Sequence, residues 1–136
     1  PDSRFVFDFL GQVNVLSGRI TDGAIRQGDA WVNLPQGCDD DDAQLYLRPH
    51  EVRLTQEPGR DAHLPFRIEA INVIGAEVRI ELKPDGWACE ELWEVGISHT
   101  EFNASRPRRG DRYYAVPDVG HLFCEHLDEP KTLNWA

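Results

Sequence analysis

The sequence has no long hydrophobic run, no methionine and only two lysines among its 136 residues. No apolar stretch approaches the roughly 20 residues that a membrane-spanning helix requires. The best candidate, residues 5–10, is short and carries Asp8. We therefore expect a soluble domain with no direct membrane insertion. The absence of methionine is typical of a piece of a longer chain, although an initiator ahead of Pro1 can also be removed.

Positive charge is scarce as well. The chain has 14 Lys and Arg against 24 Asp and Glu, which gives a formal net charge of −10. A field of this sign repels phosphate backbones and anionic lipid headgroups, so we expect no nucleic-acid partner. Arg106, Arg108 and Arg109 do collect around Pro107. The sequence favours a solvated loop with a turn proline there over a binding patch.

The three cysteines, Cys38, Cys89 and Cys124, are too few and too widely separated for a disulfide framework or a zinc site. We expect reduced thiols, as in a cytoplasmic protein. The acidic run at 39–42 lacks the alternating spacing of a calcium loop. The densest group of potential ligands, residues 121–126, has histidines at its two ends but no partner pair elsewhere, which favours a structural role.

Catalytic motifs are absent from the sequence. A phosphate-binding loop requires a GxxxxGK[ST] spacing, and neither Lys83 nor Lys131 follows such a run. The GxSxG elbow of serine hydrolases is also missing. We therefore predict that this chain is not an enzyme and that it holds no catalytic, cofactor-binding or metal-ligating residue.

Alternation of apolar and polar residues dominates what is present. In Pro65–Ile71 and Ala76–Leu82 every second residue is apolar, and Gly75 lies between them at the position of a hairpin turn. Such alternation predicts half-buried antiparallel strands, and turn signals about every ten residues indicate a β-barrel or sandwich. Further strands are predicted at Val13–Ile20, Ile25–Arg26, Ala30–Leu34, Gln44–Arg48, His50–Leu54, Glu91–Ser98 and Asp111–Val116.

Two short helices are predicted beside the strands. Apolar residues within 5–10 have the spacing of about two amphipathic turns at the start of the chain. Ser98 and Glu101 have the spacing of a capping box, which predicts that a helical turn begins there.

The tetrapeptide Arg48-Pro49-His50-Glu51 is the most distinctive local motif. Pro49 fixes φ at a corner between two predicted strands, and Arg48 and Glu51 have opposite charges. The structural interpretation is a strand corner held by an ion pair. The functional interpretation is an arginine presented to an oxyanion such as sulfate, which a guanidinium binds well. The first is favoured.

Four stretches of the chain form an ordered set of motifs. They are Phe5–Asn14, Leu45–Val52, Lys83–Trp87 and Gly110–Arg112. In this order they resemble the regulatory region that follows the nucleotide-binding domain in importer ATPases of the sulfate, maltose and iron classes. The extra residue between Pro49 and Glu51, together with Lys83–Trp87, is most similar to the sulfate/thiosulfate-import class.

The resemblance implies an all-β fold, in which antiparallel strands form an OB-like (oligonucleotide/oligosaccharide-binding-like) barrel of the TOBE type with a short N-terminal helix. Residues 1–12 would be a connector helix from an upstream ATPase domain, 13–124 the TOBE region, and 125–136 a C-terminal tail. ATP and magnesium would bind only in the ATPase domain, so this chain needs no cofactor. Structural roles are implied for the family-motif residues Gly11, Asn14, Arg48, Pro49, Glu51, Gly110 and Asp111.

The implied function is regulation and dimerisation of a transporter ATPase subunit. Its partners would be a second copy, its own ATPase domain and, indirectly, the membrane subunits at the cytoplasmic side of the inner membrane. Trp31, Trp93 and Tyr113 are candidates for the self-contact. An alternative is a sensor of sulfate or molybdate, and a second alternative is an OB-type nucleic-acid-binding module. The candidate anion-binding residues are Arg48, Arg106, Arg108 and Arg109.

Overall fold

The computed structural model describes residues 11–35 and 41–136. These residues form twelve strands, one 3-10 helix and one α-helix. In chain order they are β1 Asn14–Thr21, β2 Ala24–Gln27, β3 Ala30–Asn33, β4 Asp42–Leu47, the 3-10 helix Pro49–Glu51, β5 Val52–Thr55, β6 Ala62–His63, β7 Pro65–Ile74, β8 Glu77–Pro84, β9 Trp93–Ser98, α1 His99–Ser105, β10 Arg112–Pro117, β11 Val119–Cys124 and β12 Lys131–Asn134.

The strands form two antiparallel sheets. The larger, sheet A, has seven strands in the order β12-β11-β4-β1-β2-β3-β6, and sheet B has five in the order β5-β10-β7-β8-β9. The predicted all-β antiparallel fold is confirmed. The N-terminal helix predicted from residues 5–10 lies outside the described residues. No helix in the described part of the chain has the length and apolar character needed to cross a membrane.

The β7–β8 hairpin shows how alternation in the sequence becomes a half-buried sheet. Val78, Ile80 and Leu82 are buried, whereas the charged residues between them are half-buried. Gly75 closes the turn with φ +62°, a left-handed conformation that glycine adopts without a steric penalty. The first strand runs to Ile74 instead of Ile71, and the second begins at Glu77, one residue later than predicted, and runs to Pro84, because cross-strand pairing extends from Ile74 and Glu77 to Phe66 and Pro84.

Both sheets contribute to one hydrophobic core. Its centre is aromatic: the Phe66 ring lies 5.0 Å from Trp93 and 5.5 Å from Trp87, measured between ring centroids. Trp93 is 1% exposed and Tyr113 is 4% exposed. The prediction that these two side chains are available for a self-contact is therefore wrong, because β9 and β10 point them inward. Trp31 is half-buried and stacks on His63.

The capping box predicted at Ser98 is confirmed. Glu101 N–H donates to Ser98 Oγ at 3.0 Å, and Ser98 N–H donates to Glu101 Oε1 at 3.3 Å. These bonds satisfy donors at the helix start, where no intrahelical partner exists. Helix α1 ends at Arg106, which has a left-handed conformation with φ +45° and donates its N–H to the Phe102 carbonyl.

Sheet A is completed by residues that follow β10 in the chain. Residues 125–136, set apart by the sequence as a tail, contain β12, which pairs with β11 and places Leu133 in the core. Beyond β12, the Trp135 indole N–H donates to the carbonyl of Asn33 at the end of β3. Trp135 thus connects one edge of the curled sheet to a strand near the opposite edge.

Candidate functional site

The corner between β4 and β5 differs in one respect from the prediction. The sequence predicted that a strand begins at His50, but Pro49–Glu51 form a 3-10 helix and β5 begins at Val52. The reason is a local pair of hydrogen bonds: Glu51 N–H donates to the Arg48 carbonyl at 3.0 Å, and Arg48 N–H donates to Glu51 Oε1 at 2.8 Å. Closing this turn keeps residues 49–51 out of the ladder.

A buried charge cluster lies against this corner. Glu51 is 8% exposed, and its Oε2 lies 2.9 Å from Nε2 of His121 on β11 and 3.7 Å from the Arg48 guanidinium. Arg48 Nη1 is also 3.1 Å from His121 Nε2. Nε2 accepts from Arg48 when it carries no proton, and it donates to Glu51 when it carries one. The cluster connects β4, the 3-10 helix and β11 in either state.

This geometry bears on Arg48 as a candidate anion ligand. The Arg48 side chain is one-third exposed, and its guanidinium is directed at a carboxylate of the protein. His121 was not singled out for this role, because it comes 70 residues after Glu51 and only the fold brings the two together. That Arg48 binds an oxyanion stays a prediction.

The other candidate arginines lie between α1 and β10, beside sheet B, and no contact described in the structure joins them to Arg48. Arg109 contacts Glu69, with Nε 3.2 Å from its carbonyl oxygen and Nη2 3.6 Å from Oε1. Arg108 N–H donates to Asp111 Oδ2 at 2.9 Å, which closes a turn around Gly110. The family-motif residues Gly110 and Asp111 thus shape the loop that presents Arg106 and Arg108.

Asn14 joins the two sheets. Its side chain is 1% exposed at the start of β1, yet both of its polar atoms reach the backbone of Glu94 in β9 of sheet B. Asn14 Nδ2 donates to the Glu94 carbonyl at 2.9 Å, and Glu94 N–H donates to Asn14 Oδ1 at 2.8 Å. An asparagine amide offers a donor and an acceptor side by side and so pairs with one residue's backbone as a strand would. Gly11, another motif residue, is exposed with φ +93°.

A groove of about 420 Å³ opens where the sheets meet near the chain's last residues. Val116 and Trp135 supply apolar walls, and Arg53 and Arg60 supply positive charge. Arg53 is paired with Asp118, Nε to Oδ1, at 2.8 Å. This groove was not predicted from the sequence, because Trp135 was assigned to a tail.

Of the cysteines in the described residues, Cys89 is a free thiol and Cys124 is buried at the end of β11, whereas Cys38 lies outside those residues. Burial raises the pKa of the Cys89 thiol, with a smaller opposing effect from its hydrogen bond to the Glu91 carbonyl. Within residues 11–35 and 41–136, no three His, Cys, Asp or Glu side chains are grouped closely enough to hold a metal ion.

Two family models match the chain. The first, the CysA C-terminal regulatory domain, matches residues 14–54, and the second, a TOBE-like domain, matches residues 58–118. The chain belongs to the TOBE-type regulatory regions of the CysA class. The resemblance found in the sequence is confirmed, and so is the prediction that this chain is a regulatory region and not an ATPase domain.

Curated relatives agree with this assignment. The chain is similar to the sulfate/thiosulfate import ATP-binding protein CysA of Vibrio cholerae, with 41% identity over 99% of this chain and 36% of the relative. CysA 1 of Shewanella oneidensis is also 41% identical over the same shares. The protein of Halalkalibacterium halodurans is 32% identical over 90% of this chain and 34% of the relative. The chain thus spans about a third of the length of these relatives.

A solved structure shares the fold. The cytoplasmic molybdate-binding protein ModG, solved with molybdate bound, superposes with a TM-score of 0.62 over 76% of this chain and 89% of that chain. The two sequences are 12% identical, so this similarity concerns the fold alone. It supports the OB-like arrangement of curled antiparallel sheets.

Proposed function

We propose that the chain is the regulatory region of the ATP-binding subunit of a sulfate/thiosulfate importer. The supporting observation is its 41% identity to the Vibrio cholerae relative, which extends over 99% of the chain. The ATPase domain of the same subunit binds ATP and magnesium and hydrolyses the nucleotide. The TOBE-type region communicates with that domain and, through it, with the membrane subunits on the cytoplasmic side of the inner membrane.

A second copy of the same subunit is the proposed partner, since an importer uses two ATP-binding sites and closed two-fold pairing is the commonest symmetry. Because Trp93 and Tyr113 are buried, the self-contact requires another surface. Val73 and Ile74 at the tip of the β7–β8 hairpin are 65% and 60% exposed, and Leu92 is 43% exposed. Large exposed apolar side chains are typical of contact surfaces.

The test is a chimera. The corresponding third of the Vibrio cholerae relative is replaced by this chain, and sulfate uptake is measured in a strain that lacks its own ATP-binding subunit. We expect uptake to be restored and the purified chimera to sediment as a dimer. A fusion carrying an unrelated β-barrel of the same length is the control. A folded chimera that transports no better than this control contradicts the proposed function.

Oxyanion sensing is the second candidate function. Within the described residues, Arg106 and Arg108 have no ion pair, although the chain carries a net charge of −10. Exposed guanidinium groups without a protein carboxylate are available to an oxyanion. Calorimetric titration with sulfate and with molybdate tests this, with Arg106→Ala and Arg108→Ala as variants and Arg48→Ala for the cluster at the corner. Absence of heat at millimolar anion refutes it.

A further inference from the structure

Asp41, immediately before β4, carries a buried carboxylate oxygen without a partner. The residue is 4% exposed, and no hydrogen bond to Oδ2 is found in the described part of the chain. Its backbone carbonyl accepts from Ile20 N–H at 2.8 Å. Buried polar atoms in native proteins are nearly always paired, because an unpaired one loses its hydration without compensation. An unpaired oxygen at such a position requires an ion, a water or a proton.

His126 is the side chain that faces this oxygen. Strands β4 and β11 pair Ala43 with Cys124, and continuing that antiparallel register by two residues places Asp41 opposite His126. The distance from Asp41 Oδ2 to His126 Nε2 is 3.9 Å. This is too long for a hydrogen bond, which requires roughly 3.2 Å or less between nitrogen and oxygen. The two groups therefore face each other across a gap.

The gap is close to the width that a bound metal ion spans. A divalent transition metal lies about 2.0–2.2 Å from imidazole nitrogen and from carboxylate oxygen, so a nitrogen and an oxygen bound to it at a tetrahedral angle are separated by roughly 3.3–3.6 Å. The observed 3.9 Å is wider than this by a few tenths of an ångström. No movement of the buried aspartate is needed, and the His126 side chain, 81% exposed, is free to adjust.

We propose that Asp41 and His126 bind a divalent transition metal of the zinc or nickel type, with water molecules completing the coordination. An imidazole beside a carboxylate suits these ions, whereas magnesium and calcium prefer all-oxygen ligands. The environment is acidic: Asp42 and Glu125 lie next to the two ligands in sequence, and the positive charge of Arg19 is directed to Asp42 at 3.3 Å. The metal neutralises the orphaned carboxylate.

Such an ion would join the start of β4 to the turn that follows β11. That turn is closed by Leu127 N–H donating to the Cys124 carbonyl at 3.1 Å. Because the two ligands come together only in the folded sheet, metal binding is coupled to folding and stabilises the native state. This inference concerns the chain's own residues and does not depend on the transport role.

The test is calorimetric titration of the chelator-treated chain with zinc chloride and, separately, with nickel chloride. We expect His126→Gln to weaken the affinity at least tenfold. His50→Gln is the matched control, because His50 is also exposed and lies outside the proposed site; its affinity should equal that of the wild type. Zinc should also raise the melting temperature of the wild type and of His50→Gln but not that of His126→Gln.

Asp41→Asn supplies the second ligand test, with circular dichroism to establish that the variant folds. If it does not fold, the His126→Gln result decides, since removal of an exposed side chain leaves the core intact. Equal zinc affinities for the wild type and His126→Gln overturn the proposal. So does the absence of zinc binding by the wild type at millimolar concentration, which would assign the Asp41 oxygen to a proton or a water.

Discussion

Replacing Asn14 with alanine should weaken the connection between the two sheets and lower the free energy of unfolding. The change removes both hydrogen bonds to Glu94, 2.9 and 2.8 Å long, and leaves a backbone N–H and a carbonyl without their partners. Each orphaned group in a partly buried position costs about 1–3 kcal/mol. For the two groups together we therefore expect a loss of about 2–6 kcal/mol, a large share of the roughly 5–15 kcal/mol that stabilises an ordinary domain.

The assay is equilibrium unfolding in guanidinium chloride, followed by tryptophan fluorescence because Trp87 and Trp93 are buried in the core. A loss of about 3 kcal/mol corresponds to a drop of about 10 °C in the melting temperature of a chain of this size. Asn72→Ala is the matched control, since Asn72 is exposed in β7. Its effect should stay within about 0.5 kcal/mol.

Asn14→Asp distinguishes the hydrogen-bond argument from simple packing. Aspartate has nearly the same shape and keeps the acceptor for Glu94 N–H, but it loses the donor and places a negative charge beside the Glu94 carbonyl. We expect it to destabilise the chain at least as much as alanine does. An Asn14→Asp variant as stable as the wild type would refute the reasoning, because packing would then account for the role of this position.

Three further predictions concern the sheets and a thiol. Gly18→Ala should destabilise the chain by several kcal/mol in chemical denaturation, because a Cβ there would collide with the backbone of Arg26. Trp135→Phe should cost about 0.5–1.5 kcal/mol in the same measurement, because it removes the indole hydrogen bond to the Asn33 carbonyl. Alkylation of Cys89 by iodoacetamide, followed by peptide mass spectrometry, should be slow at pH 8. Since burial raises the thiol pKa, its thiolate forms only at higher pH than in a free cysteine, and the rate should keep rising there.

Each of these has a contrasting outcome. Gly96→Ala is the control for Gly18→Ala, because the atoms nearest to its Cβ would belong to the flexible side chain of Glu77, which is able to move. Equal losses for the two glycine variants would contradict the steric argument. A Trp135→Phe variant with unchanged stability would mean that the indole hydrogen bond to Asn33 contributes nothing to the free energy of unfolding. A Cys89 rate that levels off below pH 8 would indicate a lowered pKa.

The features predicted best from the sequence are those formed by residues close together in the chain. The β7–β8 hairpin follows from alternation and a turn glycine, and the α1 start follows from the spacing of Ser98 and Glu101. Strand β11 was missed because Leu122 packs in the main core while Phe123 packs on Tyr46 on the opposite face. A strand covered on both faces shows no alternation. Strand β12 was missed because it is short and only one of its residues, Leu133, is buried. Such a segment shows no alternation of apolar and polar residues.

Most of the contacts at the candidate sites join residues that lie far apart in the chain. The ion pair of Arg48 and Glu51 was predictable because three residues separate them, but their neighbour His121 is brought in by β11 pairing with β4. Asn14 was recognised from a family motif, yet its partner Glu94 is 80 residues away. Local sequence patterns do not encode which strands become neighbours, so these contacts needed the topology.

The bond between the Trp135 indole and Asn33 joins the end of the chain to one of its first strands, and this has a consequence for the order in which sheet A forms. Strands β1–β4 are made first, but β11 and β12, which complete their sheet, are made after all the other described strands. Contacts that span so much of the chain slow folding, because the long loop must close before the contact stabilises anything. During synthesis, the edge of β4 that pairs with β11 therefore remains unpaired until the strands of sheet B have left the ribosome. In that interval it is open to any other extended segment, which makes the completion of sheet A the step most exposed to misassembly.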